Sequence, residues 1–254
     1  MGLFNMEKGV RYAVISDIHS NTEALETALN EIKNRLVDRI FCCGDITGYG
    51  PEPGNCLKLL KQAGASMIMG NHDAALTGKM STKGFNEYAA EAVRINRESM
   101  SEAEISEINS LADAVKENNI FFTHGSPRDR LNEYLISERS LSENIDLFEG
   151  NICFAGHSHL PLVYEKKPDG KAKLKPAGRH GETFSIDNAC RYIVNVGSIG
   201  QPRDGDPRAC FVIYDTGKKK AEYVRLEYNI KATQSKMREL KLPEYLIMRI
   251  DKGR

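Results

Sequence analysis

Short apolar runs recur along the chain, and nearly every one stops at a polar cluster. Val14-Ile15-Ser16, Ile40-Phe41-Cys42-Cys43, Met67-Ile68-Met69, Ile120-Phe121-Phe122-Thr123 and Ile152-Cys153-Phe154-Ala155 read as buried strands. Between them, Leu25, Leu29, Ile32 and Leu36 recur at helical spacing behind Ser20-x-x-Glu23, a capping-box pattern that predicts a helix covering the sheet. Phe85, Tyr88, Ala92 and Ile95, then Ser101-x-x-Glu104 leading to Ile105, Ile108 and Leu111, predict a helical, cap-like segment over about residues 77–118. Its role is open between shaping a pocket, forming a dimer surface and packing the core.

After His159 the pattern changes to β-branched, strand-like runs: Leu162-Val163-Tyr164, Lys173-Leu174-Lys175, Tyr192 to Val196, Cys210 to Tyr214 and Tyr223 to Leu226, which predict a second sheet. Residues 165–191, rich in Lys, Gly and Pro, read as a solvated hairpin insertion. Residues 229–254 are expected to form an outer helix interrupted near Pro243.

The polar clusters are Asp17-Ile18-His19, Gly44-Asp45, Gly70-Asn71-His72-Asp73, His124-Gly125 and Gly156-His157-Ser158-His159. Any one of them alone is compatible with a turn or a hydrogen-bonded core histidine. Together they hold five of the six histidines, each at a strand end, and His180 remains as a loop histidine. Ligands of open α/β sheets bind beyond the carboxyl ends of the strands, so residues far apart in sequence can converge there. Four ligand-type histidines, two aspartates and an asparagine exceed one tetrahedral site, which implies two metals. Imidazole mixed with oxygen ligands suits manganese, iron or zinc, with nickel as a further candidate, and argues against calcium or magnesium. Gly70 and Gly156 are expected to allow sharp turns beside the ligands.

In order and wording these motifs resemble the calcineurin-like metallophosphoesterases. Ser16 to Asn21, Gly44 to Pro51, His124 to Asp129 and Asn195 to Gly205 are similar to the family's small prokaryotic phosphodiesterase and phosphatase branch. The resemblance implies an α/β fold, a four-layer α-β-β-α sandwich of two stacked mixed sheets flanked by helices, as a single domain over 1–254. It implies Asp17, His19 and His159 on one divalent metal, Asn71, His124 and His157 on a second, and Asp45 bridging them. His72 would contact the phosphoryl oxygens or leaving group, with Asp73 orienting its ring; a seventh ligand or a helix-start residue is the plainer alternative. The implied activity is phosphoester hydrolysis by a metal-bridging hydroxide, with a phosphodiesterase acting on a small or nucleotide-type substrate foremost. A phosphomonoesterase, a dinucleoside polyphosphate hydrolase and, remotely, a non-catalytic scaffold are the alternatives.

Arg128, Arg203 and Arg208 follow motifs or strands closely enough to overhang such a centre and grip phosphate, though each has an acidic residue near it in sequence. Charge narrows the partners: 35 basic residues balance 35 acidic ones, so no global field draws the protein to nucleic acid or a membrane surface. A small phosphorylated or nucleotide substrate is the expected partner, with a homo-oligomer left open. An apolar content of 41% supports a sizeable core. Met1 to Tyr12 lacks a signal-like apolar stretch and no run reaches transmembrane length, so a cytoplasmic location is expected. Cys42, Cys43, Cys56, Cys153, Cys190 and Cys210 show no paired spacing and read as small buried hydrophobes of a reducing compartment.

Overall fold

A strand that is apolar at nearly every position must be covered on both faces, because successive side chains point to opposite sides. Strand β1 (Arg11–Ile15) follows that rule: Tyr12 and Val14 enter one apolar layer, Ala13 and Ile15 another. The computed structural model describes residues 9–254, so the amino-terminal reading over residues 1–8 lies outside the described residues. After β1 come α1 (Thr22–Asn34), β2 (Arg39–Cys42), α2 (Pro53–Gln62), β3 (Ser66–Met67), α3 (Asn71–Thr77), α4 (Glu87–Ser99) and α5 (Glu102–Asn109). Then follow β4 (Ala114–Glu117), β5 (Ile120–Thr123), α6 (Glu138–Asn144), β6 (Ile152–Ala155), β7 (Leu162–Lys166), β8 (Ala172–Pro176) and β9 (Thr183–Ser185). The chain ends through β10 (Arg191–Asn195), β11 (Ala209–Asp215), β12 (Lys220–Leu226), α7 (Ile230–Glu239) and α8 (Glu244–Arg249).

Two six-stranded mixed sheets result, in the orders β3-β2-β1-β11-β12-β9 and β4-β5-β6-β10-β7-β8. Each holds a parallel trio, β1, β2 and β3 in one and β5, β6 and β10 in the other, extended by antiparallel strands. Between the sheets Phe41 stacks on Phe122, with centroids 3.9 Å apart and planes within 2°. Phe154, Val194, Val212 and Tyr223 complete that layer. Outside the first sheet, α1, α2 and α5 contribute Leu25, Ile32, Leu57, Leu60, Ile105 and Ile108; outside the second, α6 contributes Leu141. Fully burying one such aliphatic side chain stabilises by about 1.5–3 kcal/mol. The four-layer α-β-β-α sandwich is therefore as expected.

Several local expectations are corrected. The strands after His159 do not form one sheet. β7, β8 and β10 join β5 and β6, while β11 and β12 extend the first sheet, with Ala13 opposite Ile213, and so cover the edge of β1 that would otherwise lie open. Residues 77–118 are not wholly helical, since β4 ends them and pairs antiparallel with β5. Within 165–191, β8 forms the expected hairpin with β7, but β9 crosses to pair with β12, where Phe184 packs against Tyr223. Helix α1 is capped by Asn21, which accepts from the Ala24 amide, because Ser20 has φ 55° and its hydroxyl donates to Asn96 instead. Pro243 does interrupt the carboxyl-terminal helix. The two pieces, however, pack Met237, Leu246 and Ile247 onto Ala89, Ala92 and Tyr49, closing over the loop after β2 and not merely coating the exterior. All six cysteines are free and buried. No helix among the described residues is long and apolar enough to cross a membrane.

Candidate metal centre

The loops that extend from β1 and β2 run side by side. The Asp17 amide donates to Gly44 O (3.0 Å), His19 to Asp45 O (3.0 Å) and Ser20 to Ile46 O (2.9 Å). The segment after β10 braces the same turn from the other sheet, through Ser198 Oγ to Asp17 O (2.9 Å) and Gly200 N to Asp17 O (2.9 Å). Asp17, His19, Asp45, His157 and His159 all adopt positive φ, between 47° and 64°. Non-glycine residues held there store roughly 1–3 kcal/mol each, a strain that clusters at functional sites.

These turns bring together all seven expected ligands, every one of them buried. His19 Nε2 lies 3.1 Å from His159 Nε2, and His159 Nε2 lies 3.2 Å from Asp17 Oδ1. On the other side His124 Nε2 lies 3.1 Å from His157 Nδ1 and 2.9 Å from Asn71 Oδ1. Asp45 Oδ2 stands between the two groups, 3.6 Å from His19 Nε2 and 3.4 Å from His124 Nε2, while its Oδ1 accepts the His72 amide (2.9 Å).

The outer nitrogens decide what the inner ones can do. His19 Nδ1 faces Thr47 O (2.9 Å), His124 Nδ1 faces Cys43 O (2.9 Å), His157 Nε2 faces Asn132 O (3.0 Å) and His159 Nδ1 faces Gln201 O. A carbonyl only accepts, so each of these nitrogens carries the ring proton and each neutral ring turns a lone pair inward. Two lone pairs at 3.1 Å repel unless a cation lies between them. Two nitrogens on one ion, at bond lengths of about 2.0–2.1 Å, stand roughly 2.9–3.4 Å apart in tetrahedral or octahedral geometry. The donor set therefore fits metal ions. Without them a proton can stand in: burial opposes charging His124, but Asp45 and Asp17 outweigh it and raise its pKa to about 9. Burial, with His124 beside it, lowers His157 to about 3. Burial also lowers His19 and, with Arg203, His159. Both aspartates stay ionised against burial, Asp17 through His159 and Asp45 through His124 and His72.

His72 opens helix α3 with its ring among His19, Tyr49 and Phe85, at centroid distances of 4.9, 4.5 and 4.7 Å. Its Nδ1 is buried without a hydrogen-bond partner, and burial lowers its pKa to about 4. The expectation that Asp73 orients this ring is not met. The Asp73 carboxylate accepts from Ile46 N (3.1 Å), Thr47 N and Oγ1 (both 2.9 Å) and Gly70 N (3.1 Å), which leaves it tying the β2 loop to α3. Burial and Asp45 raise it to about 6. Gly70 and Gly156 are also needed for a different reason. Neither has positive φ, but a methyl on Gly70 would collide with Asp45 and one on Gly156 with Ser16 and Asp17.

A scan against protein families matches residues 10–219 to the calcineurin-like phosphoesterase superfamily domain. The chain belongs to that superfamily. Among relatives of this calcineurin-like phosphoesterase, an uncharacterized protein of Methanocaldococcus jannaschii is 38% identical over 248 residues, 95% of this chain and 98% of that one. The crystal structure of a metallophosphoesterase from Sphaerobacter thermophilus superposes with TM-score 0.85 at 35% identity, covering 97% of this chain and 100% of the other. A hypothetical protein of Pyrococcus horikoshii shares the fold, with TM-score 0.75 at 18% identity over 96% and 99% of the two chains. The family is metal-dependent, and three buried groups among the described residues could hold a metal: Asp17, His19 and His159; Asp45, His124 and His157; and His19, Asp45 and His72.

The three expected substrate arginines separate. Arg203 lies over the Tyr49 ring (5.5 Å) and bonds Gln201 Oε1 (2.9 Å), beside the histidines. Arg128 is held by Glu133 and Glu143, and Arg208 by Asp206 at 2.6 Å, so both are engaged in local ion pairs. His180 accepts the Arg225 amide at the expected loop position. Sequence reasoning missed Tyr49, Tyr134 and Asn96. Tyr134 stacks on His157 with centroids 4.0 Å apart, and Asn96 binds Ser20 Oγ, Gly48 N and Gly50 O. Asn96 sits in the last turn of α4 with nothing in its local pattern to set it apart; Tyr49, in Gly48-Tyr49-Gly50, had the signal of a ring between two glycines directly after a ligand motif.

Proposed function

We propose that this protein is a binuclear, divalent-metal-dependent phosphoester hydrolase whose substrate is a diester of a small molecule, with a monoester as the alternative. The observation that carries the reading is the pair of inward-facing imidazole contacts at 3.1 Å on either side of Asp45. Asp17, His19 and His159 would hold one ion and Asn71, His124 and His157 the other, with Asp45 placed between the two groups. Bound there, two divalent ions supply Lewis acidity towards phosphate oxygens and a water whose pKa falls towards about 7.

The chain's own groups do the rest. The carbonyls of Thr47, Cys43, Asn132 and Gln201 fix each ring's tautomer and aim, which preorganises the ligands. Asn71 contributes a neutral oxygen, so the site keeps the positive charge that draws in a phosphate. His72 stays neutral. Its unpartnered Nδ1 is best left as a lone pair, because a buried N–H without an acceptor costs more, and Nε2–H then donates to a phosphoryl or leaving-group oxygen. Arg203 supplies a fixed positive charge beside the same oxygens.

The test is protein stripped and reloaded with manganese, assayed on para-nitrophenyl phosphate and its bis ester while metal is counted. Hydrolysis of the bis ester at about two metals per chain is expected. A chain that retains no metal sinks the reading, and full loading without hydrolysis of either ester leaves a binding module or an enzyme selective for another ester.

A further inference from the structure

A cleft of about 370 Å³ opens directly on the candidate centre, with Asn71, His72 and His157 at its base. Its walls are Met80 and Phe85, from the segment ahead of α4, and Tyr134, from the loop before α6. Tyr134 lies parallel to His157 within 17° yet is 47% exposed, so one face covers the imidazole and the other is open. No aspartate, glutamate, lysine or arginine among the described residues lines this cleft; its polar groups beyond the base include the Ser81 hydroxyl and the Asn86 and Asn132 amides. Away from the base, a charged leaving group would lose water against these walls without meeting a charged side chain. A flat neutral ring would instead gain stacking on Tyr134 and apolar contact with Phe85 and Met80.

We infer that the cleft recognises a neutral heteroaromatic leaving group, a nucleoside stacked on the open face of Tyr134, so that the substrates are nucleotide esters. In the reaction the oxygen of water bonds to phosphorus, the bond from phosphorus to the nucleoside oxygen breaks, and that oxygen leaves with a proton. The inference rests on the phosphoester reading for this step, but not for the binding it requires.

The probe is 2-aminopurine riboside, which carries no phosphate and whose emission is quenched on stacking; the chain has no tryptophan to interfere. Titration into metal-loaded and metal-stripped protein is expected to quench the base to saturation. Tyr134→Leu weakens binding about tenfold while Tyr134→Phe stays within about twofold. Gly84→Leu, at a position where an added Cβ meets no atom within 4 Å, fills the cleft and abolishes quenching with an unchanged melting temperature. No quenching at millimolar concentration, or equal affinity in wild type, Tyr134→Leu and Gly84→Leu, overturns the clamp. Nucleoside binding without hydrolysis of either para-nitrophenyl ester or of a 2-aminopurine riboside phosphate ester removes the enzyme reading alone. Hydrolysis without nucleoside binding removes the clamp alone.

Discussion

Asp45 lies in the loop after β2 and His72 in the first turn of α3, which follows the neighbouring strand β3, and the expected effects of replacing them differ. Asp45→Asn weakens the one side chain that reaches both ligand groups, so activity should fall at least about hundredfold and metal content should drop with it. His72→Asn should lower kcat about hundredfold with metal content unchanged; loss of metal in that variant would make His72 a ligand, as its proximity to His19 and Asp45 allows. Metal-free protein should also lose stability in acid. His19, His72, His157 and His159 have folded pKa values below the ordinary 6.5, at about 4 for His72 and about 3 for His157. The unfolded chain then binds more protons below pH 6.5, so their contribution is present above that pH and is lost as pH falls towards 3–4. Asp73, raised to about 6, opposes this between pH 6 and 3.8 but is one group against four. The thermal midpoint of chelator-treated protein at about pH 7 and about pH 4.5 reads the sign, and a higher midpoint in acid would contradict it.

Among the elements, α1 illustrates how a cap can be both local and tertiary. Asn21 caps the helix, donates from Nδ2 to Gly200 O (3.0 Å) and accepts from Thr233 Oγ1 (3.1 Å), which links α1 to the segment after β10 and to α7. Asn21→Ala should cost about 2–3 kcal/mol, against about 1 kcal/mol for Ser101→Ala, whose capping box on α5 is exposed and purely local. Denaturant midpoints of the two variants compare them, and equal losses would show that the links from Asn21 carry no weight. The same contrast explains what was readable. The capping box Ser101-x-x-Glu104 forms because nothing else competes for its side chains. Ser20-x-x-Glu23 does not, because the β1 turn and Asn96 claim Ser20 first.

Across the whole molecule, the ligand groups lie where two sheets meet, so metal binding and folding are linked. Removal of metal should lower the melting temperature, and adding manganese back should raise it with concentration, through a stabilisation of about 2.7 kcal/mol at a hundred times the dissociation constant. A midpoint indifferent to metal would mean that the cluster is not a binding site in the folded state. The ligand motifs, the buried strands and the layered class could be read from the chain because each depends on local rules. An apolar run must be buried on both faces, and the residues just past a strand's carboxyl end open onto the crevice at the sheet's edge. The seven residues Asp17, His19, Asp45, Asn71, His124, His157 and His159 come together at strand ends accordingly. Tertiary structure alone decided that β11 and β12 extend the first sheet, since pairing with β1 answers an open edge and no apolar pattern specifies which edge. It likewise sent Asp73 to the β2 loop and not to His72, engaged Arg128 and Arg208 in ion pairs, and set Tyr134 against His157. Those outcomes depend on which buried donors and charges most need a partner, a competition settled only when every strand is in place.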